Sequence, residues 1–245
     1  MFRKAGLPLS QFDGMAERYD AFCLTPMGSF VDAVERKLIL DLLDPQPGED
    51  MVDLGCGTGS FAIGLATLGC QVTAVDESLD MLTKARTKPW SGGTVTFMQA
   101  NISQLSLPDC SFDGVLLQVT LEFVDNPAKV VHEAFRLLKQ GGRLVIGLIN
   151  RHGLWARHYQ ERARREPLSI YRHAHFWTVD DLNLWTAAIP SEVRGGLYVG
   201  PDEFGTTQAA WALERERTTH VQLDAAGFLA VRYDRDFIQE TPRDA

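Results

Sequence analysis

The stretch VDLGCGTGS, residues 52–60, constrains the fold of this chain more than any other. A short apolar run at 52–54 meets Gly55, Gly57 and Gly59, and a helical pattern begins at Ser60. A strand that turns this sharply into a helix needs backbone conformations that glycine adopts without strain. The helix beyond leaves its first N–H groups without partners of their own. Asp53 stands two residues before the first glycine, and Asp76 ends the next strand pattern, 17 residues after Gly59. A carboxylate at that place can accept hydrogen bonds from both hydroxyls of a ribose.

The flanking sequence keeps the same rhythm. Phe61, Leu65 and Leu68 give a helix over 60–68 its apolar stripe. QVTAVD (71–76) alternates like a strand, and TVTFMQA (94–100) follows as a third. FDGVLLQVTL (112–121) is apolar enough for a strand buried on both faces, and RLVIGLI (143–149) supplies a fifth. Ser78 is placed to cap a helix running to Thr87. Pro127 opens another, which Gly141 and Gly142 are expected to stop. An amphipathic helix over 29–43 precedes the first strand. Beyond 178 the pattern gives a helix at 179–188, strands at 193–199 and 227–233, and a helix around 208–217 between them; the polar end is expected to fray. The alternation predicts an α/β fold with a doubly wound, mostly parallel sheet and right-handed crossovers. The 245 residues suit a single domain. Its expected parts are N-terminal helices in 1–47, a core in 48–150, a small helical cap inserted at 151–178, and the rest of the sheet in 179–245.

A dinucleotide-binding turn would carry a third glycine where this chain has Ser60. Here the glycines fall on every second residue instead. On these residues the chain resembles the class I S-adenosylmethionine-dependent methyltransferases, in the small-molecule branch of ubiquinone/menaquinone-biosynthesis-like (methyltransferase type 11) enzymes. The resemblance covers residues 12–185. FDGMAERYD (12–20) is similar to the family's opening helix, and ESLDML (77–82) to the turn after its second strand. LLQVTLEFVDNP (116–127) resembles the fourth strand with its loop, EAFRLLKQGGRLVIGLIN (133–150) the approach to strand five, and FWTVDDL (176–182) a later helix start.

The resemblance implies a Rossmann-like sheet of seven strands, the last antiparallel. It implies S-adenosyl-L-methionine as cofactor, S-adenosyl-L-homocysteine as product, and direct methyl transfer to a small-molecule acceptor. The cofactor would be held by Asp53, Gly55, Cys56, Gly57 and Gly59 at the turn, by Asp76 at the ribose, and by Glu77 beside it in sequence. Met81 and Ile102 would flank the adenine, with Tyr19 and Gln118 at the amino-acid end. One position departs from the family. An acid commonly follows the third strand to receive the adenine amino group, and this chain has Asn101, whose amide oxygen can accept the same bond.

The net charge of −8 argues against a general nucleic-acid binder. No apolar run is long enough to span a bilayer, and the N-terminus lacks a secretory pattern. Cys23, Cys56, Cys70 and Cys110 form no C-x-x-C pair, which suits reduced thiols in a cytoplasmic protein. Charge is uneven: seven arginines against Glu161 and Glu166 give residues 143–175 an excess of +5. That segment reads either as a solvated helix face or as an attractor for an anionic acceptor or membrane surface. Leu154, Trp155, Tyr159 and Ile170 either line an acceptor cavity or dock the cap. His152, His158, His173 and His175 match no metal signature, so no metal is expected. Candidate bases are Tyr19, His152, His173 and His175, with Glu122 read as a solvated loop acid or a base. Two other readings are a non-catalytic binding protein on this fold and an NAD-dependent oxidoreductase, the latter disfavoured by Ser60.

Overall fold

A computed structural model describes residues 10–235, except 168 and 187. The polar end from 236, with the first nine residues, lies outside the described residues. Two helices, α1 (Ala16–Cys23) and α2 (Pro26–Leu43), precede the sheet. Thr25 caps α2 by accepting from the Gly28 N–H, and Pro26 sits in the first turn, so the helix starts three residues before the apolar pattern announces it.

Strand β1 (Asp50–Leu54) leads through the glycine turn to α3 (Ser60–Thr67), then β2 (Gln71–Asp76), α4 (Leu79–Ala85), β3 (Thr94–Gln99) and β4 (Phe112–Gln118). Helix α5 (Pro127–Leu137), strand β5 (Leu138–Ile149), α6 (Leu154–Arg165) and α7 (Val179–Trp185) come next, then β6 (Glu192–Gly196), α8 (Thr207–His220) and β7 (Phe228–Asp234). The seven strands lie in the order β3-β2-β1-β4-β5-β7-β6. All pairings from β3 through β5 are parallel, and β7 runs antiparallel to both β5 and β6. The expected fold class and strand number hold. The chain leaves β1 in both directions, toward β2 and toward β4, which opens a crevice at the carboxyl ends of those strands.

Alternation along the central strands feeds two cores. In β5, Val145 and Ile149 pack with Phe30, Leu65 and Trp155 on one face. Leu144, Ile146 and Leu148 pack with Val130, Ala134 and Leu182 on the other. Helices α2, α3, α6 and α8 thus cover one side of the sheet, and α5 and α7 the other.

Several boundaries differ from expectation. Strand β4 stops at Gln118, because Val119 takes a left-handed φ of 47° and the chain tightens into a 3₁₀ turn at Leu121–Phe123. Helix α5 ends at Leu137, before the two glycines, and the chain enters β5 directly. The Leu137 carbonyl turns to accept from the Ser111 N–H at 2.9 Å, so it cannot continue the helix. Gly141 and Gly142 then form a bulge within β5, where the register to β4 jumps between Phe112 and Gly114. Helix α7 ends at Trp185, and β6 ends at Gly196, ahead of Leu197 with its φ of 57°.

Arg143 does not belong with the basic residues of the insertion. It is 8% exposed, donates to the Leu43 and Asp44 carbonyls at the end of α2, and pairs with Glu49 at 2.5 Å. It therefore caps α2 with β5. The insertion itself is anchored by Trp155, 2% exposed, whose Nε1 donates to the Val199 carbonyl at 3.0 Å. Trp155→Ala should lower stability by about 3–5 kcal/mol, read as a reduced urea midpoint. A loss below about 1 kcal/mol would mean that α6 is only loosely docked.

Candidate functional site

A cavity of about 730 Å³ opens at the carboxyl ends of β1 to β4. The glycine turn forms its floor. Gly55 and Cys56 donate to the Val75 carbonyl at 2.7 and 2.9 Å, folding the turn over the end of β2. Gly55 has φ 81°, and a Cβ there would stand 2.5 Å from the Thr120 side chain. Gly57 has φ 52°, and a Cβ there would meet nothing within 4 Å, because the position faces the open cavity. Gly59 is different. It begins α3 with φ 77°, and a Cβ would press on Ala85 at 3.0 Å and Phe97 at 3.2 Å. It is a packing residue and does not line the cavity, contrary to the sequence-based expectation.

Asp76 holds the turn in place. Its Oδ2 accepts from the Gly57 N–H at 2.8 Å and its Oδ1 from the Ser78 N–H at 2.8 Å. Burial pushes its pKa up, opposed by N–H groups of Ser78, Gly57 and Glu77. Each carboxylate oxygen retains a further lone pair. Asp53 is 2% exposed, and its Oδ2 has no hydrogen-bond partner among the described residues. Burial, with the charge of Asp76 second, raises its pKa to about 7. Glu77, Met81, Asn101 and Ile102 line the same wall. The Asn101 Oδ1 accepts from the Ser103 N–H at 2.8 Å, which fixes the side chain while leaving one lone pair. Cys56 also lines the cavity, and burial drives its thiol pKa upward, so it remains a thiol.

The far wall brings together Tyr19 and Gln118 with His173 and His175. His175 stacks on Trp177, centroids 5.8 Å apart. His152 stays off this wall, since its loop turns outward after Asn150. Glu122 is neither a solvated acid nor a cavity residue: it is 0% exposed, and its Oε1 accepts from the Ile149 N–H at 2.8 Å. Burial raises its pKa to about 8. Leu154 is exposed, Trp155 docks the insertion, and only Tyr159 and Ile170 of that group reach a cavity wall.

Among the cavity residues that escaped the sequence reading are Glu35, Tyr171 and Trp177. Glu35 left a signal. It lies four residues after Val31 and four before Ile39, on the buried stripe of α2 where an apolar residue belongs. Among the described residues no group of His, Cys, Asp or Glu side chains is placed to hold a metal.

The comparisons with known proteins bear on this geometry. A family model described as a methyltransferase domain matches residues 52–146. The chain is 32% identical over 186 residues to a demethylmenaquinone methyltransferase of Paenarthrobacter aurescens, covering 72% of this chain and 71% of that one. This chain belongs to the class I S-adenosylmethionine-dependent methyltransferases. A second demethylmenaquinone methyltransferase, from Clavibacter sepedonicus, is 34% identical, and the match spans only 58% of its length and 59% of this chain. Among solved structures, a methyltransferase of Thermotoga maritima superposes with a TM-score of 0.68 at 24% identity, covering 92% of this chain and 98% of that one. One from Mesorhizobium loti gives 0.61 at 24% identity, covering 84% of this chain and all of that one. These likenesses confirm the fold. The cofactor of the family is S-adenosylmethionine, and the cavity of this methyltransferase suits it. Gly57 leaves room at the floor, and the Oδ2 of Asp53, a lining residue, is a buried acceptor without a partner among the described residues.

Glu122 offers a test of these buried acids. Its folded pKa of about 8 lies above the ordinary value of 4.5, so the folded state holds more protons than the unfolded one between those limits. Its contribution must lower stability as pH rises from about 4.5 to about 8 and stay level above. Urea denaturation at pH 5, 6.5 and 8 should show Glu122→Gln gaining on wild type across that range. A pH-independent difference between the two would contradict the burial.

Proposed function

We propose that this chain transfers the methyl group of S-adenosylmethionine to a small-molecule acceptor. The observation that supports it most is one of assembly. Eleven of the twelve residues the family resemblance nominated, all but Gly59, line a single cavity at the switch point of the sheet. When bound, the cofactor supplies an electrophilic methyl group on a sulfonium. The protein's work is then to align the acceptor and exclude water.

In this reading Asp76 holds the ribose hydroxyls while continuing to fix Gly57. Met81 and Ile102 pack on the adenine, and Asn101 accepts from its amino group. The main chain of Gly55 to Gly57, with Asp53, Gln118 and Tyr19, holds the amino-acid end. Segment 151–178 forms the cap of a single domain. Its basic residues bear less on the acceptor than their density in sequence suggests. Arg151 pairs with Asp181, Arg157 with Glu161 and Arg162 with Glu166, while Arg164 and Arg165 are exposed. A solvated helix face accounts for the last two. No described helix is long and apolar enough to cross a membrane. Four free cysteines, Cys110 exposed among them, favour the cytoplasm as the working compartment.

Calorimetric titration with S-adenosylhomocysteine and with NAD tests the reading, with binding expected for the first alone. Asp76→Ala should weaken S-adenosylhomocysteine by about 1.5–3 kcal/mol, the scale of hydrogen bonds to a charged group. Gly57→Val should abolish binding in a chain that still folds by circular dichroism. Asn101→Asp should keep or tighten it, since an ionised acceptor bonds more strongly. Undiminished binding by Asp76→Ala would remove the ribose assignment.

A further inference from the structure

A second chamber, of about 180 Å³, adjoins the cofactor cavity. Tyr19, Met81, Gln118 and Tyr171 belong to the walls of both. Its remaining walls come mainly from α1, α2 and α6, with Ile149 of β5, outside the glycine motif. They are largely aromatic and aliphatic: Phe22, Val31, Ile149 and Tyr159 face it, and Tyr159 stacks on Tyr171 with centroids 4.0 Å apart. Two of its ionic groups, Arg162 and Glu166, pair with each other. Asp32 is engaged by Arg36 at 3.3 Å, and Arg36 also donates to the Ser60 hydroxyl at 2.6 Å.

Glu35 remains. No cation pairs with it among the described residues. Its Oε2 accepts from the Gln118 amide at 2.8 Å, on the wall the two spaces share. We propose that the methyl acceptor binds in this chamber through an O–H or N–H nucleophile and that Glu35 is the catalytic base that takes its proton. The inference rests on the methyltransferase reading above. In the step, the lone pair of the acceptor oxygen or nitrogen forms the new bond to the methyl carbon. The sulfur–methyl bond breaks, its electron pair stays on sulfur, and the acceptor's proton passes to the Glu35 carboxylate. The donor's positive charge is thereby exchanged for a proton, and S-adenosylhomocysteine leaves neutral at sulfur.

Gln118 positions the base. Its amide nitrogen holds the Glu35 oxygen while its own buried Oε1 has no partner among the described residues. Burial raises the Glu35 pKa to about 8, with the charges of Asp32 and Glu122 adding to it and Arg36 opposing. Cys23 and Tyr19 on α1, Tyr159 on α6, and Tyr171 are the other titratable groups facing it. A cation in the adjoining cavity favours the ionised form. The base is therefore available once the donor is in place. A thiol acceptor, whose ordinary pKa of about 8.5 lets it reach its thiolate by exchange with solvent, would need no such group.

The test uses the full chain, S-adenosylhomocysteine, and labelled S-adenosylmethionine with the low-molecular-weight fraction of a bacterial extract as acceptor source. Products are identified by mass spectrometry. Glu35→Gln should bind S-adenosylhomocysteine within twofold of wild type. Its turnover should fall about 100-fold, the scale of a lost general base, with the KM for S-adenosylmethionine unchanged. Glu35→Asp should recover part of that rate. The wild-type rise of kcat with pH should be missing from Glu35→Gln, and the product should carry its methyl on oxygen or nitrogen. A tenfold or greater loss of S-adenosylhomocysteine affinity in Glu35→Gln would make Glu35 a cofactor ligand and overturn the proposal. So would undiminished turnover, a methyl on sulfur or carbon, or a wild type that binds S-adenosylhomocysteine and methylates nothing. A wild type that binds no S-adenosylhomocysteine would instead overturn the methyltransferase reading beneath it.

Discussion

The site depends on one interaction, between the Asp76 carboxylate and the Gly57 N–H at 2.8 Å. A turn with left-handed residues at 55 and 57 has little side-chain packing of its own. It is held because the end of β2 supplies acceptors: the Val75 carbonyl for Gly55 and Cys56, and Asp76 for Gly57. The same carboxylate accepts from Ser78, whose hydroxyl caps α4 by accepting from Met81. One half-buried acid therefore sets the shape of the cavity floor and the start of the helix that carries Met81. Such an acid orients the turn, and its weight in the fold is measured by asking what remains folded when it is removed.

The buried acids around the cavity are costly in isolation, because a carboxylate without a partner loses its hydration. Asp53, Glu35 and Glu122 each respond by holding their protons to unusually high pH. Their placement differs. Asp53 and Glu35 face cavity space, whereas Glu122 is enclosed and serves the Ile149 N–H. The first two are suited to a positively charged guest, and the third to joining the loop after β4 to the end of β5. Perturbed carboxyls collect at sites and at structural knots alike. Geometry decides which kind each one is.

Sequence reading went furthest where one physical cause fixes the outcome. The glycine turn, the alternating strands β2 and β3, and the Ser78 cap all follow from local rules, and they stand within a residue or two of expectation. It failed where tertiary partners decide. Gly141 and Gly142 look like a helix stop, yet Ser111 claims the Leu137 carbonyl first, and the glycines become a bulge. Glu122 looks like a solvated acid because charge is visible in a sequence and burial is not. The arginines of 143–175 look like one patch, but Arg143, midway along β5, caps α2 and stands apart from the insertion. Neighbours in sequence were mistaken for neighbours in space.

The two halves of the site also draw on different parts of the chain. Gly57, Asp76, Met81 and Ile102 come from the strand–helix repeat, where spacing is imposed by the sheet itself. The adjoining chamber is made by α1, α2 and α6, which lie before and after that repeat. Only the strand-end segment from Gln118, a few shared side chains and Ile149 connect it to the sheet. Residues such as Phe22, Val31 or Tyr159 can therefore change without altering the turn that Asp76 holds. A fold divided this way can keep one cavity while the other varies, so the glycine motif bears on the first and leaves the second to the helices.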